Sequence, residues 1–322
     1  MFIVDVLILA DVFQKFREVS LEVGRFEIDP AHYLSAPQMS WDAMLKRTAV
    51  ELDLITDPAM YLMIEGGMRG GVCVISQRHS KANFPAMGRE FDPSQPNTFI
   101  LYVDSNNLYG WAMSQVLPSG GFEWVSREEW ENINWVGLSE TDLVGYFVEC
   151  DLEYPAELHA DHNDYPLAPE RGEIEPEMLS ENQMEITRHY ARTRTRNNVK
   201  LVPNLMKKIK YTTHYLNLKF YLDHGLRLSK IHRVIRFQQS AWMRPYIQMN
   251  TALRATAAND MERDFHKLMN NSVYGKTCEN QRKRTDIRLM NDRVEAAKLL
   301  DKPHCIDVLI FDENLVGGNC GK

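Results

Sequence analysis

The 322-residue sequence contains no run of about 18 or more apolar residues, so no membrane-spanning helix is expected. Its N-terminal apolar stretch, Phe2 to Ala10, is broken by Asp5 and lacks the basic start and small-residue cleavage site of a signal peptide. An intracellular protein with no membrane partner is the expectation. There is no Cys-x-x-Cys pair. The five cysteines, Cys73, Cys150, Cys278, Cys305 and Cys320, are widely scattered, which favours free buried thiols in a reducing compartment over a zinc site or a disulfide framework. No internal repeat is visible. What is present is ordinary for a globular chain: 44% apolar and 25% charged residues, with length enough for one large domain or two small ones.

A net charge of −7, taken alone, argues against a nucleic-acid partner. The charge is segregated, however. From Glu123 to Glu185 there are 18 acidic residues against two basic ones, and from Arg188 to Arg236 there are 13 basic residues against the single Asp223. A block this long and one-sided reads as a phosphate-contacting surface, the plain alternative being a solvated helix face. The acidic block could cover it when nucleic acid is absent.

Apolar spacing predicts a helix over Leu7 to Phe26 ending at Gly24, and another over Trp41 to Leu54, with residues 29–40 as a linker. The glycine cluster 65–71 leads into a strand-like Val72 to Ile75. Thr98 to Val103 reads as an apolar strand ending on Asp104, and Asn107 to Met113 as a turn entering a short helix. Asp142 to Tyr154 and Ile231 to Phe237 read as strands, Glu181 to Thr195 and Asn204 to Leu222 as helices. Helical periodicity returns from Tyr246 to Tyr274 and stops at Gly275. The last thirty residues carry little signal, and 316–322 looks like a tail.

Two constellations carry chemistry. The first is Tyr102-Val-Asp104-Ser105-Asn-Asn107-Leu108-Tyr109-Gly110. A carboxylate at the end of a buried strand can hold Mg²⁺ for phosphoryl transfer, because the strand fixes the oxygen and the open end admits phosphates. Tyr109 would then lie beneath a sugar and exclude a ribose 2′-hydroxyl. The same residues also suit a plain strand end with an Asn-rich turn. The second is Arg263, Lys267, Asn271, Ser272, Tyr274 and Gly275. Helical spacing puts 263, 267, 271 and 274 on one face, where two cations, an amide and a phenol suit a triphosphate with a base stacked above. An amphipathic surface helix with a glycine stop is the bland alternative.

Two look-alikes carry less. Asn270 to Thr277 ends in Gly-Lys-Thr like a phosphate-binding loop, but the leading glycine is missing and the segment is helical. His159-x-x-His162, with Asp161 and Asp164, has no third ligand cluster at matching spacing and reads as a polar loop.

Together and in this order, the two constellations resemble family B DNA polymerases, particularly the protein-primed branch found in viruses, organelles and mobile elements. Asp104, Asn107, Leu108 and Tyr109 match the first polymerase motif of that family, and Lys267, Asn271, Ser272, Tyr274 and Gly275 match the second. Met68-Arg69-Gly70-Gly71 looks like the Tyr-x-Gly-Gly element that grips template, with Met68 in place of tyrosine, and Asp5 looks like the aspartate of the last exonuclease motif, with Met1 in the tyrosine's place. The third polymerase motif, Tyr-x-Asp-Thr-Asp-Ser, does not follow Gly275, and the first two exonuclease motifs are absent.

The resemblance implies an α+β fold: a polymerase palm built on an antiparallel sheet presenting Asp104, helical fingers, and a helical exonuclease remnant. It implies residues 1–26 as that C-terminal remnant of a 3′–5′ exonuclease domain, 27–97 as a linker with the template-gripping element, and 98–322 as a partial palm and fingers with an insertion between the motifs. Asp104 is the implied catalytic residue and Mg²⁺ ligand. Ser105, Asn107, Leu108, Tyr109, Arg263, Lys267, Asn271, Tyr274 and Gly275 are the implied nucleotide-binding residues, and Arg69, Gly70 and Gly71 the DNA-binding ones. Implied partners are DNA template and primer, dNTP, and a terminal (priming) protein. Because the second palm carboxylate is missing, the chain alone is expected not to extend primers appreciably. The alternatives are a catalytically dead, domesticated or decaying element product that binds nucleic acid and, more weakly, an RNA polymerase or reverse transcriptase.

Overall fold

The computed structural model describes residues 2–22, 24–77, 79–174, 176–190, 199–280 and 286–320. Met1 and the basic Arg192, Arg194 and Arg196 lie outside the described residues. In chain order, helix α1 is Phe2–Leu21, α2 Ala36–Thr48, α3 Pro58–Gly67 and α4 Leu108–Met113. Strand β1 (Leu117–Trp124), the turn α5 (Arg127–Trp130), strand β2 (Val144–Glu153) and the turn α6 (His159–His162) follow. Next come β3 (Glu170–Gly172), α7 (Glu181–Tyr190), β4 (Lys200–Val202), β5 (Lys208–His214), α8 (Tyr215–Asp223) and β6 (Arg227–Ser240). Then α9 (Arg244–Ala255), α10 (Asp260–Thr277), β7 (Asp286–Met290), α11 (Arg293–Leu300), β8 (Cys305–Asp312) and β9 (Leu315–Cys320). The mixed α+β class with antiparallel sheet is as the motifs implied. The elements fall into two compact units, one of Met44–Asn259 and one of Met1–Ala43 with Asp260–Lys322.

The Met44–Asn259 unit is organised by a four-stranded antiparallel sheet of order β1-β6-β2-β5. The central β2 and β6 pair along their length, from Val144 opposite Gln238 to Glu153 opposite Arg227. Alternation along β2 sends Val148, Cys150 and Leu152 to one face, where Leu218 of α8, Trp135 and Tyr154 pack against them. Phe147 goes to the other face, with Ile235 of β6 and Met60 and Met63 of α3. Helix α3 begins at Asp57, whose carboxylate accepts from Ala59 N–H at 2.7 Å, with Pro58 set at the first turn. Glu149, Asp151, Arg233 and His232 also lie on β2 and β6, and they pair with one another, as described below.

The other unit is discontinuous in sequence. Its helical part rests on α10, whose Phe265 meets the rings of Phe16 (5.1 Å) and Phe26 (5.6 Å) edge-on, and whose Met269 sulfur accepts from Ser40 Oγ at 3.2 Å. Arg17 of α1 is bidentate to Asp29 at 2.9 and 2.6 Å, and this guanidinium holds the Asp29 carboxyl down at about 2. Its sheet part is three-stranded, order β7-β9-β8. Leu299 of α11 packs against Gly318 of β9 so closely that an added Cβ would lie 2.8 Å from it. No described helix is long and apolar enough to cross a membrane.

Several sequence readings are corrected. Thr98 to Val103 forms no strand: Thr98 makes one bridge to Asn83, and residues 99–105 have no ladder partner among the described residues. Strand propensity alone does not hold a ladder, and Phe99 to Val103 are 64–93% exposed. Val72 to Ile75 is likewise unpaired. Asn204 to Leu222 is not one helix but β5 and α8, divided at His214, whose ring nitrogen accepts from Leu216 N–H at 3.4 Å. The linker reading of 29–40 yields to α2, which starts at Ala36 and stops at Thr48. Residues 246–274 divide into α9 and α10, and the apparent tail from Val316 is the central strand β9.

Candidate nucleotide and metal site

Helix α10 carries four members of the second constellation on one strip, while Ser272 is buried on the opposite face. His266, Met269, Asn270 and Val273 are buried, while Arg263, Lys267, Asn271 and Tyr274 are exposed on the other face. This is a clean 3.6-residue split: burial decides one face and leaves two cations, an amide and a phenol turned outward together. Arg263 Nη2 meets Asp260 at 2.8 Å, an exposed ion pair worth little energetically. The helix runs through Gly275 to Thr277 instead of stopping at the glycine, so the Asn270–Thr277 segment is helix and not a phosphate loop. An added Cβ at Gly275 would meet only Pro37, at 3.9 Å, so the fold of this unit does not itself demand glycine there.

In the Met44–Asn259 unit, Asp104 and Ser105 lie in exposed coil. Asn107 adopts the left-handed region (φ 54, ψ 42) as the cap residue of α4 and makes no side-chain cap bond. That conformation suits Asn, which tolerates positive φ better than most residues. Its side chain lies over buried Gly110, where an added Cβ would come 2.3 Å from the amide nitrogen. Glycine at 110 therefore leaves room for the Asn107 amide. Leu108 and Tyr109, in the first turn of α4, are half exposed.

The structure thus gathers Arg263, Lys267, Asn271 and Tyr274 on one helix face, and Asn107 with Gly110 in one turn. Among the described residues no group of three or more His, Cys, Asp or Glu side chains is placed to hold a metal ion. Mg²⁺ is bound through one or two carboxylates plus substrate phosphates and water, so a site of that kind would take one ligand from Asp104 and the rest from elsewhere.

The Met68–Gly71 element is anchored through its arginine. Arg69 donates to Gly67 O at 2.8 Å and Thr212 O at 2.6 Å, and its guanidinium lies 3.8 Å over the Tyr211 ring. Those bonds tie the end of α3 to β5, a structural task that the sequence reading did not foresee. Gly70 and Gly71 are exposed, have open space where a Cβ would stand, and are not at positive φ. No contact among the described residues requires glycine at either position. Asp5 sits exposed in the first turn of α1.

Part of the segregated charge is paired between the two blocks. Ion pairs join members of the basic block to the acidic one: Arg236 to Glu123 and Glu129, Arg233 to Glu149, Lys207 to Glu153, Arg227 to Glu157 and Lys208 to Glu170. Asp151 accepts from His232 Nε2 at 2.7 Å and from Lys210 N–H at 2.8 Å; burial opposes its ionisation, but these bonds hold its pKa below the usual carboxylate value. The two histidines of His159-x-x-His162 are used internally. His162 Nδ1 bonds the Tyr154 hydroxyl at 2.7 Å, and His159 Nε2 approaches the Tyr154 carbonyl at 3.3 Å. A cleft of about 470 Å³ near His159, Asp164 and Asn204 includes none of the residues read as a nucleotide or metal site.

The sequence model of DNA polymerase type B, organellar and viral, matches residues 2–316, and the chain belongs to this family. Among solved structures it is similar to Phi29 DNA polymerase in an orthorhombic crystal form, at 14% identity and TM-score 0.45, covering 81% of this chain and 39% of that one. It is also similar to Phi29 DNA polymerase complexed with single-stranded DNA, at 14% identity and TM-score 0.42, covering 90% of this chain and 40% of that one. The complex of that polymerase with primer-template DNA and incoming nucleotides matches at 13% identity and TM-score 0.43. The chain spans about two fifths of the length of these structures. No curated protein matches.

Proposed function

We propose that this chain carries the dNTP-selecting part of a protein-primed family B DNA polymerase serving a viral or mobile element, and that the whole enzyme adds dNMP to a 3′-hydroxyl under template direction. The observation that carries the reading is the exposed face of α10: Arg263, Lys267, Asn271 and Tyr274 stand together on a helix whose opposite face accounts for the packing. Cations that neither packing nor a buried partner requires suit the phosphates of a dNTP. Tyr274 and Gly275 would shape the nascent base pair, Leu108 and Tyr109 would police the sugar, and Asp104, helped by the Ser105 carbonyl, would ligate Mg²⁺. Gly70 and Gly71, glycines that no contact among the described residues demands, suit close approach of a template backbone, with Arg69 holding the element in place. A terminal protein would supply the first hydroxyl.

Equilibrium binding of a fluorescent dNTP in Mg²⁺ tests this. Lys267→Ala is expected to weaken binding at least tenfold, about 1.4 kcal/mol, without lowering the melting temperature, because Lys267 is exposed. Equal affinity in wild type and variant would sink the reading. Primer extension with Mg²⁺ and four dNTPs is expected to yield no appreciable product from this chain alone, since Asp104 offers a single carboxylate. Robust product that Asp104→Ala abolishes would instead show a complete active site. Salt-dependent DNA binding unaffected by Asp104→Asn, with no dNTP binding, would favour the non-catalytic nucleic-acid binder.

A further inference from the structure

Cys305 and Cys320 are separated by fourteen residues in sequence, yet they are direct partners across the antiparallel β8–β9 pair. Partners in such a pair point to the same face of the sheet, with Cα atoms about 4.5 to 5.5 Å apart. That interval lies inside the range of roughly 4.4 to 6.8 Å spanned by disulfides. Both residues are free thiols in the structure, and the Cys305 Sγ is turned toward the Asp307 carbonyl at 3.7 Å. Cys320 is 3% exposed, whereas Cys305 is only partly covered, so a soluble oxidant has one accessible sulfur to attack. The register slips between Cys305 and Asp307, so the cysteines are paired just beyond a bulge at the end of the ladder.

We propose that Cys305 and Cys320 form a redox pair, open in reducing conditions and closing to a cross-strand disulfide when a disulfide oxidant such as oxidised glutathione is present. The step balances by exchange. The Cys305 thiolate attacks the oxidant, forming a mixed disulfide and releasing one glutathione thiolate. The Cys320 thiolate then displaces the second glutathione, so two protein thiols are oxidised and one glutathione disulfide is reduced to two thiols. The bond would tie β8 to the central strand β9 at the end away from their Glu313–Asn314 turn, closing the hairpin. Because Cys320 is also opposite Asp286 of β7, the staple would fix the strand on which the whole three-stranded sheet is registered.

The test uses the full chain with Cys73→Ser and Cys278→Ser, which removes the two exposed cysteines. After incubation with oxidised glutathione, trapping with an alkylating agent and digestion, the proposal expects one species in which the peptides bearing Cys305 and Cys320 are joined. It also expects a higher melting temperature that dithiothreitol reverses. Adding Cys320→Ser should stop the reaction at a stable glutathione adduct on Cys305 and remove the thermal shift. Two outcomes overturn the proposal: both cysteines alkylated after oxidation, or a stable adduct on Cys305 while Cys320 is intact. If the serine variants unfold, the same mapping on the unmodified chain decides between the same results.

Discussion

Lys208 places its ammonium where the side chain has no solvent exposure. Glu170 at 3.1 Å, the Asn204 carbonyl at 3.1 Å and the Asn204 side-chain oxygen receive its protons. Burial pulls its pKa down and Glu170 resists the fall. A buried charge with its partners is near break-even, but one left without them is costly. Glu170→Ala should therefore cost about 3 kcal/mol in urea unfolding, whereas Lys208→Met should cost less than half as much. The reverse order would show that the ion pair is not what the site needs. His214 makes a second prediction at this scale. Burial among Phe147, Tyr215 and Phe237 lowers its pKa to about 4, well below the ordinary imidazole value of about 6.5. The unfolded chain then binds the proton first, so the contribution of neutral His214 is complete above pH about 6.5 and is lost as pH falls toward 4, about 3 kcal/mol in all. His214→Phe should flatten the fall in stability over that window, at the cost of about 1 kcal/mol at every pH for the lost helix cap. An unchanged slope would assign the acid sensitivity elsewhere.

Among elements, β6 shows how part of a basic run can be matched to carboxylates within the fold. Arg233 is bidentate to Glu149 at 2.9 and 2.7 Å, and Arg236 reaches Glu123 at 2.8 Å through Nε. Both are already matched to carboxylates on neighbouring strands. If this chain binds DNA, the joint substitution Arg233→Gln and Arg236→Gln should leave the slope of log K against log salt unchanged within about one unit, where two lost phosphate contacts would reduce it by about 1.8. The same contrast explains what could be read from the sequence. α10 was legible because its apolar positions recur with helical period and its polar positions form the second motif. β2 was legible because Val144 to Leu152 is rich in β-branched and aromatic residues. β5 was not, since Lys208-Ile-Lys-Tyr-Thr-Thr-His begins with a lysine that turns inward, a burial no pattern of hydrophobicity announces. β1 drew no reading from the sequence, since Pro118, Gly120 and Gly121 are poor strand formers; its backbone is held by Asp53, whose carboxylate accepts from Gly121 N–H at 2.8 Å. Of the candidate site, residue types and spacing gave the α10 face. The structural role of Arg69 depends on Tyr211 and Thr212, more than 140 positions away, and carries no local signal.

On the scale of the molecule, each unit has its own packing. The Met44–Asn259 unit has a sheet with apolar clusters on both faces, one around Val148 and Leu218 and the other around Met60 and Ile235. Expressed alone, residues 44–259 should unfold in one cooperative transition, with near-ultraviolet circular dichroism and far-ultraviolet loss coinciding. Non-coincident transitions, or a chain without fixed tertiary signal, would show that this unit depends on the rest.

The other unit is made of residues 1–43 and 260–322, and this split has a consequence for biosynthesis. Phe16 and Phe26 emerge from the ribosome well over two hundred codons before Phe265, the ring they embrace. At about 5 to 20 residues per second, the first helix waits on the order of ten seconds or more for its partner, long enough for the intervening 44–259 segment to fold. During that interval the apolar side of α1 is a natural client for a chaperone, and the late-made α10 completes what the first helix began.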